Sequence, residues 1–483
     1  MSKYQPTIGL EIHAQLKTKS KMFCKCLNDP KEKKPNTNIC PVCMGHPGTL
    51  PVINNKAVES VIKSGLALNC KINKHTWFER KNYFYPDLPK NYQISQDKMP
   101  ICEKGKLKIN NKTIRINNIH LEEDTGKLIH DEKTGFSLID FNRAGIPLME
   151  LVTEPDITSA KDAKNFCEEL RLIFRYLGIS DANMENGQMR CEANISLREN
   201  KQKLGTKVEV KNLNSFKAVE RSIKYETKRQ TEILEAKEKV IHETRGWNEK
   251  KQKTFSQRTK EVAKDYRYFS EPDLPPIKKS QKNINKIKIQ IPELPTNRRK
   301  RLKKEYKISK NHIEIFTNYK SLGNYFENIV SKFKKPLTKD SYKLVKLTAN
   351  YLTTELKKYL PTLEERYVKN LKITSENFAK FIILISQEKI SSSGAQIVLK
   401  KMFETGINSS KIIEQENLSQ VSNKFEVEKI VNQVIKNNPQ PVKDYKNGKI
   451  ETIQFLVGQI MKLSQGRANP EIAAKIIKEV LSK

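Results

Sequence analysis

The sequence predicts an α+β amino-terminal domain built around an antiparallel sheet, followed by all-α helical and tail domains. Three observations support this fold class. Alternating apolar residues mark strands in the first part of the chain, a segment with a glycine joins two of these strands, and the last third has helical spacing, many Lys residues and few Gly or Pro residues. A chain of 483 residues suffices for roughly two to four such domains.

The first strand is predicted to begin at Thr7, and its residues alternate strictly between two faces. Its apolar face consists of Ile8, Leu10, Ile12, Ala14 and Leu16. Glu11 and His13 fall on the opposite face, because successive side chains of a strand point to opposite sides. These two side chains can therefore reach a common point.

Two further strands are predicted later in the amino-terminal domain. Their alternating apolar residues are Cys191, Ala193, Ile195 and Leu197 in one strand, and Val208 and Val210 in the next. Gly205 lies in the segment between them, which favours a hairpin and therefore an antiparallel pair.

A helix is predicted to begin after Ser159 and to end at Gly178. Ser159 and Asp162 have the spacing of a capping box, and apolar residues then recur with helical spacing. Glycine is the residue that most often ends a helix, because it adopts the left-handed conformation at little cost.

Five prolines mark a domain junction near residue 292, because prolines spaced in this way interrupt regular structure. They are Pro272, Pro275, Pro276, Pro292 and Pro295. We therefore expect a mixed domain over residues 1–292, a helical domain over residues 293–406 and a helical tail over residues 407–483.

The chain contains 90 Lys and Arg residues against 55 Asp and Glu residues, which gives a formal net charge of +35. This excess favours a polyanionic partner such as nucleic acid. The alternative is a solvated, Lys-rich surface that reflects a biased genome composition. No apolar stretch approaches the ~20 residues of a membrane span, and no secretory signal precedes the first strand, so we expect a cytoplasmic protein.

Eight cysteines in a reducing compartment argue against disulfides, and four of them form two close pairs. These are Cys24 with Cys26, and Cys40 with Cys43. The pattern favours a structural Zn²⁺ site, although the first pair has one intervening residue rather than the usual two. A redox-active dithiol is the alternative. The remaining cysteines are isolated in sequence, and two of them, Cys167 and Cys191, lie on apolar faces and are predicted to be core residues.

Carboxylates are concentrated in residues 120–127 (HLEEDTGK) and 147–156 (PLMELVTEPD). Such clusters suit Mg²⁺, which takes one or two carboxylates and completes its shell with water and phosphate. Glu11 and His13 also suit a divalent metal or acid–base chemistry. The alternatives are solvated turns for the two segments and an ordinary polar strand face for Glu11 and His13.

Residues 80–93 (RKNYFYPDLPKNYQ) interleave cations with aromatic rings in a segment stiffened by two prolines. This mixture suits contact with phosphate and stacking on a base. The sequence contains neither the common glycine-rich phosphate motifs nor the GxSxG nucleophile elbow, so a nucleotide site here would be of an uncommon kind. The polar segment Ser391 to Gly394 is a weak candidate for a nucleophile.

Together these strings resemble the B subunit of the bacterial and organellar aspartyl/glutamyl-tRNA amidotransferase, over nearly the whole chain and in the right order. The similar segments are residues 8–13 (IGLEIH), 80–96 (RKNYFYPDLPKNYQISQ), 120–127 (HLEEDTGK), 140–156 (DFNRAGIPLMELVTEPD), 189–197 (MRCEANISL), 208–216 (VEVKNLNSF), 243–247 (ETRGW), 265–276 (DYRYFSEPDLPP), 455–461 (FLVGQIM) and 466–470 (GRANP). Two departures are Ser270, where the family usually has Pro, and residues 256–260 (SQRTK), where it usually has SMRSK.

The resemblance implies that residues 1–292 form a cradle-like, kinase-like catalytic domain with a zinc-binding loop. In this family ATP phosphorylates the side-chain carboxylate of Glu-tRNA(Gln) or Asp-tRNA(Asn), and ammonia then displaces the phosphate to give the amide. The implied Mg²⁺ ligands and catalytic residues are Glu11, His13, Glu123 and Glu150. The residues implied to face ATP or the aminoacyl end are Lys81, Tyr83 and Lys90.

The resemblance also implies partners, because this chain shows no Ser/Lys amidase pattern and no Cys glutaminase triad. The family draws its ammonia through a tunnel from a separate amidase (glutaminase), its A subunit, and includes a small C subunit. We therefore expect a heterotrimer that acts on misacylated tRNA. Three alternatives remain. They are a non-catalytic, zinc-containing tRNA-binding scaffold of the same complex, a stand-alone glutaminase, and the archaeal relative dedicated to tRNA(Gln), whose inserted domain has no room here.

The tail over residues 407–483 is predicted to grip tRNA. Its candidate phosphate contacts, which lie among turn residues, are Lys443, Lys446, Lys449, Lys462 and Arg467. Its helically spaced apolar residues, which would let the tail fold by itself, are Ile453, Leu456, Val457, Ile460 and Leu463. The alternative is a solvated helical appendage.

Overall fold

The computed structural model describes residues 3–131, 133–199, 203–259, 265–333, 338–363, 365–418, 424–464, 468 and 470–481. The chain divides into two compact units, Met1–Pro295 and Thr296–Lys483. The predicted fold class is confirmed, because a sheet-rich unit precedes a helical one. The predicted division of the helical part at residue 407 stays a prediction.

The strands all belong to the first unit. They are β1 (Tyr4–Gln15), β2 (Lys71–Ile72), β3 (His75–Thr76), β4 (Glu79–Asn82), β5 (Tyr92–Ser95), β6 (Cys102–Ile109), β7 (Lys112–Glu123), β8 (Lys127–His130), β9 (Ser137–Asp140), β10 (Pro147–Thr153), β11 (Met189–Glu199), β12 (Val208–Leu213), β13 (Glu243–Asn248), β14 (Lys253–Thr259), β15 (Phe269–Ser270) and β16 (Ile277–Lys278). The helices of this unit are α1 (Asn55–Ala67), α2 (Ala160–Leu177), α3 (Phe216–Glu235) and α4 (Gln281–Ile289).

One large sheet dominates the first unit, with the strand order β14-β13-β12-β11-β1-β10-β7-β6-β2. Its neighbouring strands are antiparallel except for β12 and β13, which are parallel and are connected through α3. The antiparallel pairing of β11 with β12 confirms the predicted hairpin. Smaller sheets contain β15-β4-β5, β16-β3 and β8-β9.

Strand β1 lies in the middle of the large sheet and begins at Tyr4, three residues before the predicted start. It pairs with β10 on one side and with β11 on the other. The register sets His13 opposite Glu150 on β10 and opposite Arg190 on β11. The alternation predicted for this strand therefore fixes which residues of three strands share a face.

The apolar face of the sheet packs against α1, α2 and α3 to form the core of the first unit. Ile8, Leu10 and Ile12 of β1 are at most 1% exposed. Burial of each such side chain contributes about 1.5–3 kcal/mol. Because most of the apolar residues of these strands point to this side, many of their polar residues gather on the other.

Helix α2 has the predicted ends. The Ser159 hydroxyl accepts a hydrogen bond from the Asp162 amide, and Gly178 adopts the left-handed conformation with φ of 68°. The Asp162 carboxylate accepts from Lys112 Nζ at 2.7 Å, which ties the start of the helix to β7.

The second unit is helical. Its helices are α5 (Pro295–Tyr306), α6 (Lys310–Asn318), α7 (Lys320–Val330), α8 (Lys339–Asn350), α9 (Glu365–Lys369), α10 (Ser375–Ser386), α11 (Ser392–Thr405), α12 (Ser409–Gln415), α13 (Lys424–Asn437), α14 (Pro439–Lys446), α15 (Thr452–Leu463) and α16 (Pro470–Leu481). A π-helical turn at Tyr351–Glu355 and a 3-10 turn at Leu356–Tyr359 follow α8.

Two separate cores stabilise these helices. The larger core extends from Leu302 to Leu418 and includes Ile412 and Ile413 of α12. The smaller core extends from Val427 to Leu481 and is formed by α13, α15 and α16. Among the described residues, no helix has both the length and the apolar composition of a bilayer span.

Candidate functional site

The polar face of the large sheet, which we call the polar face, collects carboxylates, imidazoles and cations from five neighbouring strands. These residues are Glu209 and Lys211 on β12; Arg190, Glu192 and Asn194 on β11; Glu11, His13 and Gln15 on β1; Glu150 on β10; and His120 and Glu122 on β7. They come together because strand pairing brings residues of like parity side by side. Two groups of potential metal ligands stand out within this face.

The first group, the histidine cluster, contains His13, His120, Glu122 and Glu150. Glu150 Oε2 lies 3.2 Å from His13 Nε2 and 3.1 Å from His120 Nε2, so two imidazoles share one carboxylate oxygen. Glu122 Oε1 lies 3.6 Å from His13 Nε2, and Glu122 Oε2 accepts from the Ser95 hydroxyl at 3.1 Å. Potential ligand atoms of His13, Glu122 and Glu150 lie within 4.8 Å of one another, as one small cation requires.

The charges of this cluster are strongly coupled. Burial alone would lower the pKa of His13, yet the Glu150 and Glu122 carboxylates outweigh this effect and raise it to about 9. Burial alone would raise the pKa of Glu150, but His120 and His13 hold it well below its usual range. Glu150 is therefore an ionised carboxylate in a largely buried position.

The second group, the carboxylate cluster, contains Glu11, Glu192 and Glu209, whose potential ligand oxygens also lie within 4.8 Å of one another. Burial raises the pKa of Glu11, and the Glu150 and Glu192 carboxylates add to the effect. Lys211 Nζ lies 2.8 Å from Glu192 and 3.5 Å from Glu209. The Asn194 amide donates to Glu11 Oε1 at 2.7 Å, while its own Oδ1 is buried and accepts no hydrogen bond from the described residues. Crowded oxygens with an unused acceptor fit a hard divalent cation.

The structure brings only two of the four predicted magnesium ligands into one group, and the set itself stays a prediction. It brings His13 and Glu150 together, but it places Glu11 in the neighbouring carboxylate cluster. Glu123 points away from the polar face. Its carboxylate forms an ion pair with Lys90 and accepts a hydrogen bond from the Ile94 amide at 3.0 Å. Glu123 and Lys90 line a pocket together with Cys24 and Cys43.

Parity along β7 explains why Glu122, rather than Glu123, joins His13 and Glu150. His120 and Glu122 are two residues apart and share the polar face, whereas Glu123 has the parity of the buried Leu121. The same parity argument applied to residues 189–197 and 208–211 would have indicated Arg190, Glu192 and Glu209. The alternative of solvated turns is wrong for both carboxylate segments, because Glu122 is 2% exposed and Glu150 is part of the central β10.

Lys81 lies on β4, and two carboxylates of the histidine cluster influence its charge. Burial opposes its charge, but Glu122, Tyr268 and Glu150 raise its pKa above the ordinary value. Nζ lies 5.0 Å from the centre of the Tyr266 ring, and no carboxylate oxygen of the described residues lies within 4.0 Å of it. Tyr83 packs edge-on against Tyr266, with ring centres 6.1 Å apart. This half-buried cation, flanked by aromatic rings, suits a phosphate group.

The four cysteines predicted to bind zinc converge, and the Sγ atoms of Cys24, Cys26, Cys40 and Cys43 all lie within 4.8 Å of one another. This spacing fits a tetrahedral Zn²⁺ with bonds of about 2.3 Å. A hydrogen bond with Cys24, helped by the nearby Lys21 ammonium, lowers the pKa of Cys43 to about 4 although burial opposes it. A thiol that ionises so readily is a natural metal ligand.

Lys21 provides an independent test of the metal site. Its side chain is 0% exposed, and its Nζ contacts Cys43 Sγ at 3.7 Å and the Phe141 carbonyl at 3.2 Å. A buried ammonium without a counter-charge costs several kcal/mol. Four thiolates around Zn²⁺ leave a net negative charge that would offset this cost, so the residues present fit the metal.

Several other residues singled out in the sequence lie in the core, at the start of a helix or on the surface. Cys167 and Cys191, isolated in sequence, are buried as expected, but their Sγ atoms lie only 3.7 Å apart between α2 and β11. Ser391 caps the start of α11. Four lysines of the predicted tail are exposed on or beside α14 and α15, far along the sequence from the clusters described above. They are Lys443, Lys446, Lys449 and Lys462. Arg467 and Lys260 lie outside the described residues.

Comparison with known proteins gives matches over most of the chain. Residues 6–285 match the family model described as the GatB/GatE catalytic domain, and residues 324–481 match that described as the GatB domain. Similar proteins from Caldicellulosiruptor saccharolyticus, Dehalococcoides mccartyi and Persephonella marina are each named as the B subunit of an aspartyl/glutamyl-tRNA(Asn/Gln) amidotransferase. They are 44%, 45% and 45% identical to this chain, and each match covers at least 99% of both proteins.

Proposed function

Since the chain belongs to the family of aspartyl/glutamyl-tRNA(Asn/Gln) amidotransferase B subunits, we propose that it uses ATP to activate the side-chain carboxylate of a misacylated tRNA and then converts it to the amide. The substrate would be Glu-tRNA(Gln), Asp-tRNA(Asn) or both. The observation that carries the proposal is the polar face, where two neighbouring acidic clusters gather potential cation ligands and the carboxylates of the histidine cluster act on the charge of Lys81.

The reaction needs activation because a carboxylate is a poor electrophile. In the first step a side-chain carboxylate oxygen attacks the γ-phosphorus of ATP, a new O–P bond forms, and the bond to the ADP oxygen breaks with its electron pair leaving on ADP. In the second step ammonia attacks the carbonyl carbon, the C–O bond to phosphate breaks, and phosphate leaves with that electron pair and the proton lost by nitrogen. The products are the amide, ADP and phosphate.

The histidine cluster and the carboxylate cluster fit Mg²⁺ by their donor atoms. His13, Glu122 and Glu150 would hold one ion, and Glu11 and Glu192 with Glu209 would hold another. Bound Mg²⁺ would neutralise the phosphate charge that develops during transfer. Burial, followed by the charges of Glu150 and Glu192, raises the pKa of Glu11, and a bound cation would offset these effects.

Lys81 of β4 and the aromatic rings near it would bind the nucleotide. Lys81 would contact a phosphate, because its ammonium is partly buried and makes no ion pair with the described residues. Tyr83 and Tyr266 would flank the same group. Lys90 would hold Glu123 in place at the pocket beside the cysteines and approach the aminoacyl end from there.

The cysteine cluster would bind a structural Zn²⁺ that fixes the loop between Phe23 and Gly48. Hydrogen bonds already join this loop to the residues that precede β10. Asn142 Oδ1 accepts from the Thr37 and Asn38 amides, both at 2.8 Å. A fixed loop would keep Lys90 and Glu123 in their pocket, since Lys90 leaves no room for a Cβ at Gly45 of this loop.

Ammonia would come from a partner amidase, the A subunit of the complex, with the small C subunit completing a heterotrimer. The relatives' name, which describes them as one subunit, supports a multi-subunit enzyme. The net charge of +35 supports tRNA as the macromolecular substrate. The second unit would supply phosphate contacts through Lys443, Lys446 and Lys462, as predicted from the sequence, together with Arg467.

The test is the substitution Glu150→Gln in the assembled complex. It keeps the shape of the side chain but removes the charge that both imidazoles face, so we expect the tRNA-dependent formation of ADP to fall at least about a hundredfold. ADP release would be measured with misacylated tRNA present and absent. Glutamine hydrolysis by the partner amidase would be measured in the same samples.

Glu154→Gln is the matched control, because Glu154 lies four residues further along the same segment and its carboxylate accepts from the exposed Asn117 amide. We expect near wild-type ADP formation from this variant. The proposal fails if wild-type complex forms no ADP in response to misacylated tRNA, or if Glu150→Gln matches the control.

A further inference from the structure

Arg190 is a cation of the polar face that lies between the two acidic clusters. It pairs with His13 across β1 and β11, and it is two residues from Glu192 on the same face of β11. The charges of Glu122 in one cluster and Glu192 in the other both help to raise its pKa, after the larger effect of Asp124. A phosphate attracted by a cation at either cluster would therefore lie near this guanidinium.

The guanidinium is held in place from behind by Asp124, which is 3% exposed. Arg190 Nη2 donates to Asp124 Oδ1 at 2.9 Å, and Arg143 Nε lies 3.2 Å from Asp124 Oδ2. The Gln15 amide donates to the same Oδ2 at 2.9 Å. Two guanidinium groups share a single carboxylate, so the assembly keeps a net positive charge.

Most hydrogen-bonding capacity of Arg190 is unused. A guanidinium has five N–H groups in a planar fork that matches two oxygens of a phosphate. Arg190 donates to Asp124, and its other N–H groups find no acceptor among the side chains that the structure describes. Its side chain is 36% exposed, so a ligand on the polar face can reach those groups.

We propose that Arg190 is a catalytic residue that binds the phosphoryl group while it passes from ATP to the substrate carboxylate, and that Asp124 is its positioning residue. The inference rests on the proposed function. During transfer the γ-phosphorus gains a bond to the carboxylate oxygen and loses its bond to the ADP oxygen, and negative charge is spread over the three remaining oxygens. The free edge of the guanidinium donates to two of those oxygens, while Asp124 prevents the side chain from turning away.

A purely structural role for Arg190 makes different predictions. If the residue served only to neutralise buried Asp124, its loss would lower stability, and Arg143 would partly replace it without any effect specific to ATP. A residue that contacts the phosphoryl group affects the rate of transfer, and a free guanidinium ion that enters the vacated space restores part of it.

The experiment is Arg190→Ala in the assembled complex, assayed for ADP formation that depends on misacylated tRNA. We expect kcat to fall at least about a hundredfold, as for other lost transition-state donors, with a smaller change in KM for ATP. Millimolar guanidinium should recover at least about tenfold of the lost rate, and Arg190→Lys should retain more activity than Arg190→Ala. Asp124→Asn should lower kcat less than Arg190→Ala and gain nothing from guanidinium, because it leaves the guanidinium in place.

Arg198→Ala is the matched control, because Arg198 lies on the same strand at the far end and bonds to Gln5. It should keep wild-type kcat and show no response to guanidinium. The inference is overturned if Arg190→Ala keeps kcat within about fivefold of wild type, or if neither guanidinium nor the Lys variant restores activity to a folded complex. Wild-type complex that forms no ADP would instead overturn the proposed function.

Discussion

At the scale of single residues, Lys21 gives a prediction that separates a zinc site from a redox dithiol. Lys21→Met removes the buried ammonium beside Cys43 while keeping a chain of similar length. We expect zinc affinity to fall about 10–100-fold, as when an outer contact of a metal ligand is lost. Competition for zinc with a coloured chelator measures this affinity without reference to catalysis.

Lys25→Met is the control for Lys21→Met. Lys25 lies between Cys24 and Cys26 in sequence but is exposed, so water already screens its charge and its loss should change zinc affinity less than about threefold. Equal affinities for the two variants would contradict the assigned role of Lys21. Wild-type protein that contains no zinc would contradict the metal site itself.

Residue types and spacings predicted much of the candidate site, but not the identity of every member. The four cysteines, His13 and Glu150 follow from local patterns, because each pattern is contained in one short segment. Glu122 and Glu123 both satisfy the same acidic pattern, and only the pairing of β7 with β10 decides between them. Arg190 and Glu192 were missed because their importance depends on β11 lying next to β1, a contact between residues far apart in sequence.

At the scale of secondary-structure elements, a buried ionic network ties α3 to β13 and β14. Glu226 of α3 is 0% exposed and accepts from Arg229, Gln230 and the Thr254 hydroxyl. Glu243 of β13 lies 3.5 Å from Arg229 and 2.6 Å from Arg245. The network thus links α3 to β13, the strand that follows it and pairs in parallel with β12, and to β14.

Glu243→Gln should destabilise the first unit by about 1.5–3 kcal/mol at pH 7, the usual contribution of hydrogen bonds to a charged group. Burial raises the pKa of Glu243, but Ser256, Arg245 and Arg229 lower it overall. The stabilisation is therefore present above the unfolded pKa of about 4.3 and is lost as the pH falls through the lower folded pKa. The difference between wild type and variant should shrink in acid.

Urea unfolding followed by tryptophan fluorescence measures this effect, because both tryptophans, Trp77 and Trp247, lie in the first unit. Glu232→Gln is the control. Glu232 is an exposed residue of α3 whose ion pair with Lys228 spans 3.8 Å, and its loss should change stability by less than about 0.5 kcal/mol. A pH-independent difference for Glu243→Gln would contradict the ionic explanation.

Elements whose signals are local were the most predictable. The ends of α2 follow from Ser159 and Gly178, and the β11–β12 hairpin follows from two alternating strands close in sequence. The parallel pairing of β12 with β13 was not predicted, because the intervening α3 hides the relation between the strands. Pairing of this kind is decided by the packing of the helix on the sheet rather than by the strand sequences.

At the scale of the whole molecule, the two cores of the second unit suggest where the tail can be removed. A cut after Leu418 keeps α12 with the larger core, whereas a cut after Gly406 would remove Ile412 and Ile413 from it. We expect the shorter chain to fold but to bind tRNA at least about tenfold more weakly at low salt. The dependence of log Kd on log salt should also become less steep, because the exposed tail lysines no longer displace counterions.

Filter binding of tRNA over a range of salt concentrations measures both quantities. Full-length protein with Lys443→Gln and Lys446→Gln tests the same idea without truncation, and it should flatten the salt dependence in the same direction. If the truncated complex binds tRNA as tightly as the intact one, with the same salt dependence, the tail is a solvated appendage rather than the tRNA-binding domain.

The central position of β1 also has a consequence for folding during synthesis on the ribosome. Tyr4–Gln15 is synthesised before its neighbours Pro147–Thr153 and Met189–Glu199, which leave the ribosome much later. At about 5–20 residues per second, about 10–40 s separate the synthesis of Gln15 from that of Glu199. During this interval the apolar side of β1 lacks both of its strand partners, so we expect this segment to stay exposed in the nascent chain until β10 and β11 have been made.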